Sequence, residues 1–234
     1  MKACKVFEVK HPLTAKEIYD SLHGYTQLWE EELDGRSVAV GFRVAEVEES
    51  GDAVRGVAEE SWIRRLVFRG EEMRVPASIQ IPFTFIVDGR QEFLLVYASR
   101  RYAERLAARF SEILFDRHDM ILDLMIPPEK LREIYSRAAE VRSMVMEVNV
   151  AGVRKVTLFG RELVSSRIVK SYISRYKGRE SYVMYRDEVG VFGVSVSAQI
   201  VAFSRISDDD FEAYIREIIL PRVEPPPEEE VEEA

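Results

Sequence analysis

The sequence predicts an α+β protein made of two pseudo-repeats of strand, helix, antiparallel strands and helix, with the helices packed on one face of a curved antiparallel sheet. Three observations lead there. The string Glu-Ile-Tyr occurs twice, at Glu17–Tyr19 and Glu133–Tyr135, 116 residues apart, each time in a helix opened by proline after a strand. Each half closes alike, with a strand feeding an amphipathic helix: Phe93–Ala98 into Arg100–Phe115, and Val194–Phe203 into Ser207–Leu220. Between these landmarks lie period-two alternations broken by Gly, Asp and Ser turns, the pattern of local antiparallel hairpins. The repeats are placed at 1–117 and 118–223, followed by an acidic tail at 224–234.

The elements follow in order. Val6–Val9 is a strand, and Pro12 leads into a helix over Thr14–His23, with Thr14 as N-cap, Glu17 as its capping-box partner and Gly24 as terminator. Val38, Val40, Phe42 and Val44 alternate with Ala39, Gly41 and Arg43 as a half-buried strand, which the turn Glu49-Ser50-Gly51-Asp52 reverses into Ala53–Glu59. Trp62–Arg69 and Met73–Ala77 are read as further strands around Gly70. Ile79, Ile81, Phe83, Phe85 and Val87 share one face of the next, with Pro82 marking an edge or a bulge. Asp88-Gly89 returns the chain as Glu92–Ala98, and Ser99 caps a helix with the apolar stripe Tyr102, Leu106, Phe110, Ile113 and Leu114.

The second half repeats this order with an addition. Met120–Ile126 is a strand, Pro128 opens a helix buried through Leu131, Ile134, Tyr135 and Ala138, and Val141–Val150 turns at Ala151-Gly152 into Val153–Phe159. A helix near Arg161–Tyr176 has no counterpart in the first half. Ser181–Arg186 and Val191–Phe203 are strands; Ser207 with Asp210 opens the last helix and Pro221 stops it.

This strand, helix, strands, helix order resembles the repeat of the TATA-box-binding proteins. The local likeness is Val96-Tyr97-Ala98-Ser99-Arg100-Arg101-Tyr102-Ala103-Glu104-Arg105-Leu106-Ala107-Ala108-Arg109, where a strand enters the kind of Arg-Leu-Ala-Ala-Arg helix that ends such a repeat. The resemblance implies an architecture of two strand–helix–strands–helix units; the 161–176 helix is additional to it.

Composition bounds the function. Of 234 residues, 47% are hydrophobic, enough for one large domain or two small ones. A single cysteine, Cys4, rules out an intramolecular disulfide and any Cys-rich zinc site, and with no apolar run of signal or membrane length the expected setting is cytoplasmic, away from any membrane. With 25 Arg, 8 Lys and one Asn, Asn149, the chain reads as that of an archaeon-like thermophile. The net charge of −8 is concentrated at the end: Glu224, Glu228, Glu229, Glu230, Glu232 and Glu233 lie in the last eleven residues. That tail is expected to be disordered, its prolines extended, and to offer an acidic peptide to a protein partner or to the chain's own basic face.

The sharpest chemical feature is the stretch 151–180, where Arg154, Lys155, Arg161, Arg167, Lys170, Arg175, Lys177 and Arg179 face only Glu162 and Glu180. Helical spacing predicts Ile168, Val169, Tyr172, Ile173 and Tyr176 on a packed side, and Arg167, Lys170, Ser171, Ser174 and Lys177 on a solvent side. Cations with hydroxyls suit phosphates, because they neutralise backbone charge and position it without reading sequence. Arg100, Arg101, Arg105 and Arg109 make a second basic edge, expected to pair with Glu104 and Glu112. Asp116, His118, Asp119 and Asp123 carry metal-ligand residue types, but their place across a helix end and a strand start points to capping and turns. Asp208-Asp209-Asp210 reads as a helix start. His11 and His23 flank the first helix as structural residues. No phosphate loop, dinucleotide fingerprint, zincin helix or nucleophile elbow is present.

The expected function is non-enzymatic, cofactor-free association with the phosphate backbone of DNA or RNA through Arg154–Arg179. Two alternatives stay open: a protein-interaction or self-assembly module using the sheet surface or the acidic tail, and a metal-dependent hydrolase or nuclease using Asp116, Asp119 and Asp123.

Overall fold

The computed structural model describes residues 1–89 and 91–226. Pro227 and the tail residues Glu228, Glu229, Glu230, Glu232 and Glu233 lie outside the described residues. The fold is mixed α and β, with an open antiparallel sheet and, among the described residues, five α-helices. The chain divides into two compact units, 7–122 and 1–6 with 123–234. Strand β1 (Lys2–Val9) contributes its two ends to different units.

In the 7–122 unit, helix α1 (Ala15–Leu22) starts on the expected capping box, Thr14 Oγ accepting from the Glu17 amide and Glu17 returning to the Thr14 amide. Five strands pair in the order β2 (Thr26–Leu33), β3 (Arg36–Ser50), β4 (Ala53–Phe68), β5 (Glu71–Val87) and β6 (Glu92–Val96). Strand β2 was not foreseen. Only Leu33 of it is buried, so an edge strand exposed on both faces shows no clean alternation. The segments expected separately at 53–59 and 62–69 are one strand, as are those at 73–77 and 79–87, because β4 and β5 pair without interruption from Ala53↔Ile86 to Phe68↔Glu71.

Pro82 lies where β5 becomes a local edge, with no bulge. Its carbonyl accepts from the Tyr97 amide, 3.0 Å, so its missing N–H also faces the β6 side, just beyond the last β5–β6 pair, Phe83↔Val96. Gly41 in β3 has φ +131°, and a Cβ there would stand 2.3 Å from the Gln27 carbonyl oxygen. Helix α2 (Arg100–Phe115) buries Ala103, Leu106, Ala107, Phe110 and Ser111, a stripe rotated from the expected one toward small residues that admit close approach. Phe83 and Phe85 meet Phe110 at ring-centroid distances of 4.7 and 5.5 Å and form the core with Phe42, Ile18 and Leu94. Strand β7 (Ile121–Asp123) is shorter than expected.

In the other unit, helix α3 (Pro128–Ser136) precedes the hairpin of β8 (Glu140–Val150) and β9 (Val153–Phe159). Ala138, expected in the helix stripe, lies past its end. Helix α4 runs only over Arg167–Tyr176, because Ser166 caps it: the Ile168 amide donates to Ser166 Oγ at 3.2 Å. Strand β10 (Arg179–Arg186) follows. The single strand expected at Val191–Phe203 is two, β11 (Val191–Ser195) and β12 (Gln199–Ala202), split by a tight turn with Ala198 at φ +52°. The pairing order is β1, β12, β11, β10, β8, β9. Helix α5 (Asp208–Tyr214) is capped by Ser207, whose Oγ accepts from the Asp210 amide, and continues as a π-turn, Ile215–Ile219, and a 3₁₀ turn, Leu220–Arg222. Glu224, expected in the disordered tail, exchanges both backbone hydrogen bonds with Met125 at 2.8 Å.

Candidate functional site

The predicted basic stretch lies on the β8–β9 hairpin, the loop to α4, α4 itself and the start of β10. Arg154, Lys155, Arg161, Arg167, Lys170, Ser171, Ser174, Arg175, Lys177 and Arg179 are all exposed. They do not share one surface, because the sheet divides them. Register aligns Arg179 with Glu147 and Glu147 with Lys155 on one face, where Lys155 Nζ sits 3.1 Å from Glu147. One position along each strand, Glu180, Met146 and Val156 line up on the opposite face. Period two puts Arg154 on that second face with Val156 and Leu158. Gly178, which follows the left-handed C-cap Lys177 of α4, approaches Met146 there, so α4 belongs to the same side.

Electrostatics narrow the set further. Arg161 lies near Glu140, whose carboxyl is held below the usual carboxylate range by the Arg142 hydrogen bond first, with the charges of Arg186 and Arg161 adding. Ser174 Oγ donates to the Lys170 carbonyl at 2.8 Å, so its proton serves the helix backbone. Arg154, Arg167, Lys170, Arg175 and Lys177 have no carboxylate within 4 Å among the described residues, and the Arg175 guanidinium lies 5.8 Å from the Tyr176 ring centroid. Glu180, read from the sequence as facing the cations, is buried instead. Arg132 grips it at 2.7 and 2.9 Å, and the Tyr135 hydroxyl donates to it at 2.9 Å.

The apolar side of α4 is a correction. Val169 is buried and Tyr172, Ile173 and Tyr176 are half-buried, but Ile168 is 61% exposed. Val164, in the loop before α4, is exposed as well, whereas Phe159, at 77%, shares the Lys155 face of β9 by period two. A shorter helix presents fewer residues to the sheet, and Ile168 in its first turn lies past the packed line.

Most of the other candidates resolve into pairings or caps, but Arg101 has no carboxylate within 4 Å among the described residues. Arg100 meets Glu104 at 2.6 Å, Arg105 meets Glu60, and Arg109 donates to Gln27 at 2.6 Å with its guanidinium 5.0 Å from the Phe42 ring centroid. Glu112, expected to serve those arginines, stands 3.0 Å from His118 instead. Asp119 accepts two bonds from Arg117, which hold its carboxyl below the usual range; Asp123 lies 2.8 Å from the buried Lys5; and Asp116 is the left-handed C-cap of α2. Among the described residues, no three His, Cys, Asp or Glu side chains are grouped to hold a metal ion. Nor is any helix there long and apolar enough to cross a membrane.

One cleft went unseen in the sequence. About 430 Å³ in volume, it opens beside the π-turn and is lined by Asp187, Asp210, Glu217, Arg137, Arg222 and Tyr214. One wall is packed: Tyr214 stacks on Phe192 at 3.9 Å and its hydroxyl meets that of Tyr185. Its lining comes from three separate segments that no local motif joins, and the π-turn beside it, a common marker of functional sites, shows only in the structure. No family model matches the chain, and no curated protein matches it.

Proposed function

We propose that this protein binds the phosphate backbone of nucleic acid through the α4 face, with little sequence readout. The observation that carries the reading is the set Arg154, Arg167, Lys170, Arg175 and Lys177: five exposed cations on one side of a sheet with no carboxylate partner among the described residues. An Arg or Lys tied to a carboxylate gains little by exchanging it for a phosphate, whereas an unpaired one neutralises a phosphate and releases its counterion. Ser171, exposed between them, adds a hydroxyl for positioning. The order of elements supports the companion reading of two repeats, helices on one sheet face, in the manner of the TATA-box-binding proteins: α1, antiparallel strands and α2 in one unit, then α3, antiparallel strands and α5 in the other.

The test is retention on duplex and single-stranded oligonucleotides across a salt series. Five neutralised phosphates give a log–log slope of roughly −4.5 on duplex, and R167E/K170E is expected to make it shallower by about 2. Absence of binding at low salt, or a slope untouched by that double variant, overturns the reading. A specific observation favours a second reading, self-assembly: β9 ends the strand order, and Phe159 stands exposed on it.

A further inference from the structure

Strands β4 and β5 outrun their neighbours. β3 follows β4 only as far as Gly41↔Ser61, and β6 follows β5 only over Phe83–Val87, so the segments from Trp62↔Ala77 to Phe68↔Glu71 pair with each other alone. Period two carries the core face of β4, Ala58 and Glu60, out along this ribbon as Trp62, Arg64, Leu66 and Phe68. Where the ribbon leaves the sheet, a cleft of about 450 Å³ opens against the first turns of α2, lined by Glu60, Trp62, Arg64, Arg101, Tyr102 and Arg105. That volume lies within the roughly 300–1,000 Å³ of small-molecule sites.

Its charges are unbalanced. Arg105 is bonded to Glu60, and its guanidinium lies 5.1 Å from the Tyr102 ring centroid. Arg64 and Arg101 are exposed and have no carboxylate within 4 Å among the described residues. Two aromatic rings, Trp62 and Tyr102, therefore stand beside two unpaired guanidinium groups in one concavity. Rings of this kind stack on a planar base, and a guanidinium matches a phosphate with two parallel N–H donors.

We propose that this cleft takes a nucleoside phosphate, base against Trp62 or Tyr102 and phosphate on Arg64 and Arg101, either as a free mononucleotide or as one unit of a single strand. None of its residues belongs to the α4 face, so the site stands or falls separately from the backbone-binding reading.

Trp62 reports on it directly. The chain has two tryptophans, and Trp29→Phe in the full-length protein leaves Trp62 as the sole tryptophan, which excitation at the red edge selects over the tyrosines. Titration with AMP and with a thymidine decamer is expected to quench Trp62 saturably, while adenosine binds at least about tenfold more weakly than AMP for want of the charge-assisted contact, and inorganic phosphate at least about tenfold more weakly for want of a base to stack. R64E/R101E is expected to abolish the quench, and the milder R64Q/R101Q to weaken it about tenfold, which decides the matter if charge reversal disturbs folding. R167E/K170E is expected to leave the AMP titration unchanged. Tighter binding of the decamer than of AMP assigns the site to single strands, and the reverse order to free nucleotides. No saturable quench by either, equal binding of adenosine and AMP, or a titration unmoved by R64Q/R101Q overturns the proposal.

Discussion

Glu180 follows the Lys177-Gly178-Arg179 segment in sequence and belongs to the core in space. Its carboxylate is fully buried and takes hydrogen bonds from Arg132 and from Tyr135, which lie on α3, 45 to 48 residues away. Burying that charge is tolerable only with the partners in place. Arg132→Met is therefore expected to cost about 3 kcal/mol in urea unfolding, at the low end for a broken buried pair because Arg132 is itself 46% exposed. Glu180→Gln is expected to cost less, since it leaves Arg132 in reach of water; the reverse order would place the charge outside the core. The same environment acts on the phenols. Burial first, and the Glu180 charge next, push Tyr135 up to about 12, and burial raises Tyr185 and Tyr214 as well. In the unfolded chain these phenols lose their protons near pH 10, so above that pH the native state binds more protons than the unfolded one. Stability is expected to be complete below about pH 10 and to fall as pH rises through about 12, read as the urea midpoint against pH. A midpoint flat to pH 12 would mean that the phenols titrate in the native state.

Among elements, those with local causes were legible. The Thr14–Glu17 capping box, the Ser207–Asp210 cap, proline at the start of α3 and the turn at Ala151-Gly152 all stand as the residues predict, because each is settled within a few positions. The misses arose where neighbours decide. β2 pairs with β3 over its whole length, and that pairing makes a strand of residues with little alternation of their own. Ala198 at positive φ broke a continuous apolar run into β11 and β12, a turn with no Gly, Pro or Asn to announce it. β9 holds the element-scale expectation. As the last strand in the order, with Phe159 exposed on it, it offers backbone groups to a second copy. If the copies pair there, light scattering should find a concentration-dependent dimer that Phe159→Glu removes and that truncation after Pro226, which keeps the Met125–Glu224 bridge, leaves in place. A monomer at all concentrations removes the edge-pairing reading, and a dimer lost on truncation moves it to the tail.

At the scale of the molecule, the basic stretch is a matter of faces. Lys155 and Arg179 flank Glu147 on one side of the sheet, while Arg154 and the α4 cations occupy the other. K155E/R179E is accordingly expected to leave the salt slope of nucleic-acid retention where it is, in contrast to R167E/K170E. Equal losses from both pairs would show that the sheet does not separate the two sets. The sequence by itself determined the mixed α and β character, the hairpins and caps, and the concentration of cations between 151 and 180, since each depends on residue types and spacings a few positions wide. Only the tertiary structure decided which of those cations meet a carboxylate, that Glu180 leaves their company for Arg132, and that Trp62, Arg64 and Arg101 converge on one cleft. Burial and charge pairing are set by strand register and helix packing, which join residues tens of positions apart and leave no periodicity in the chain to read.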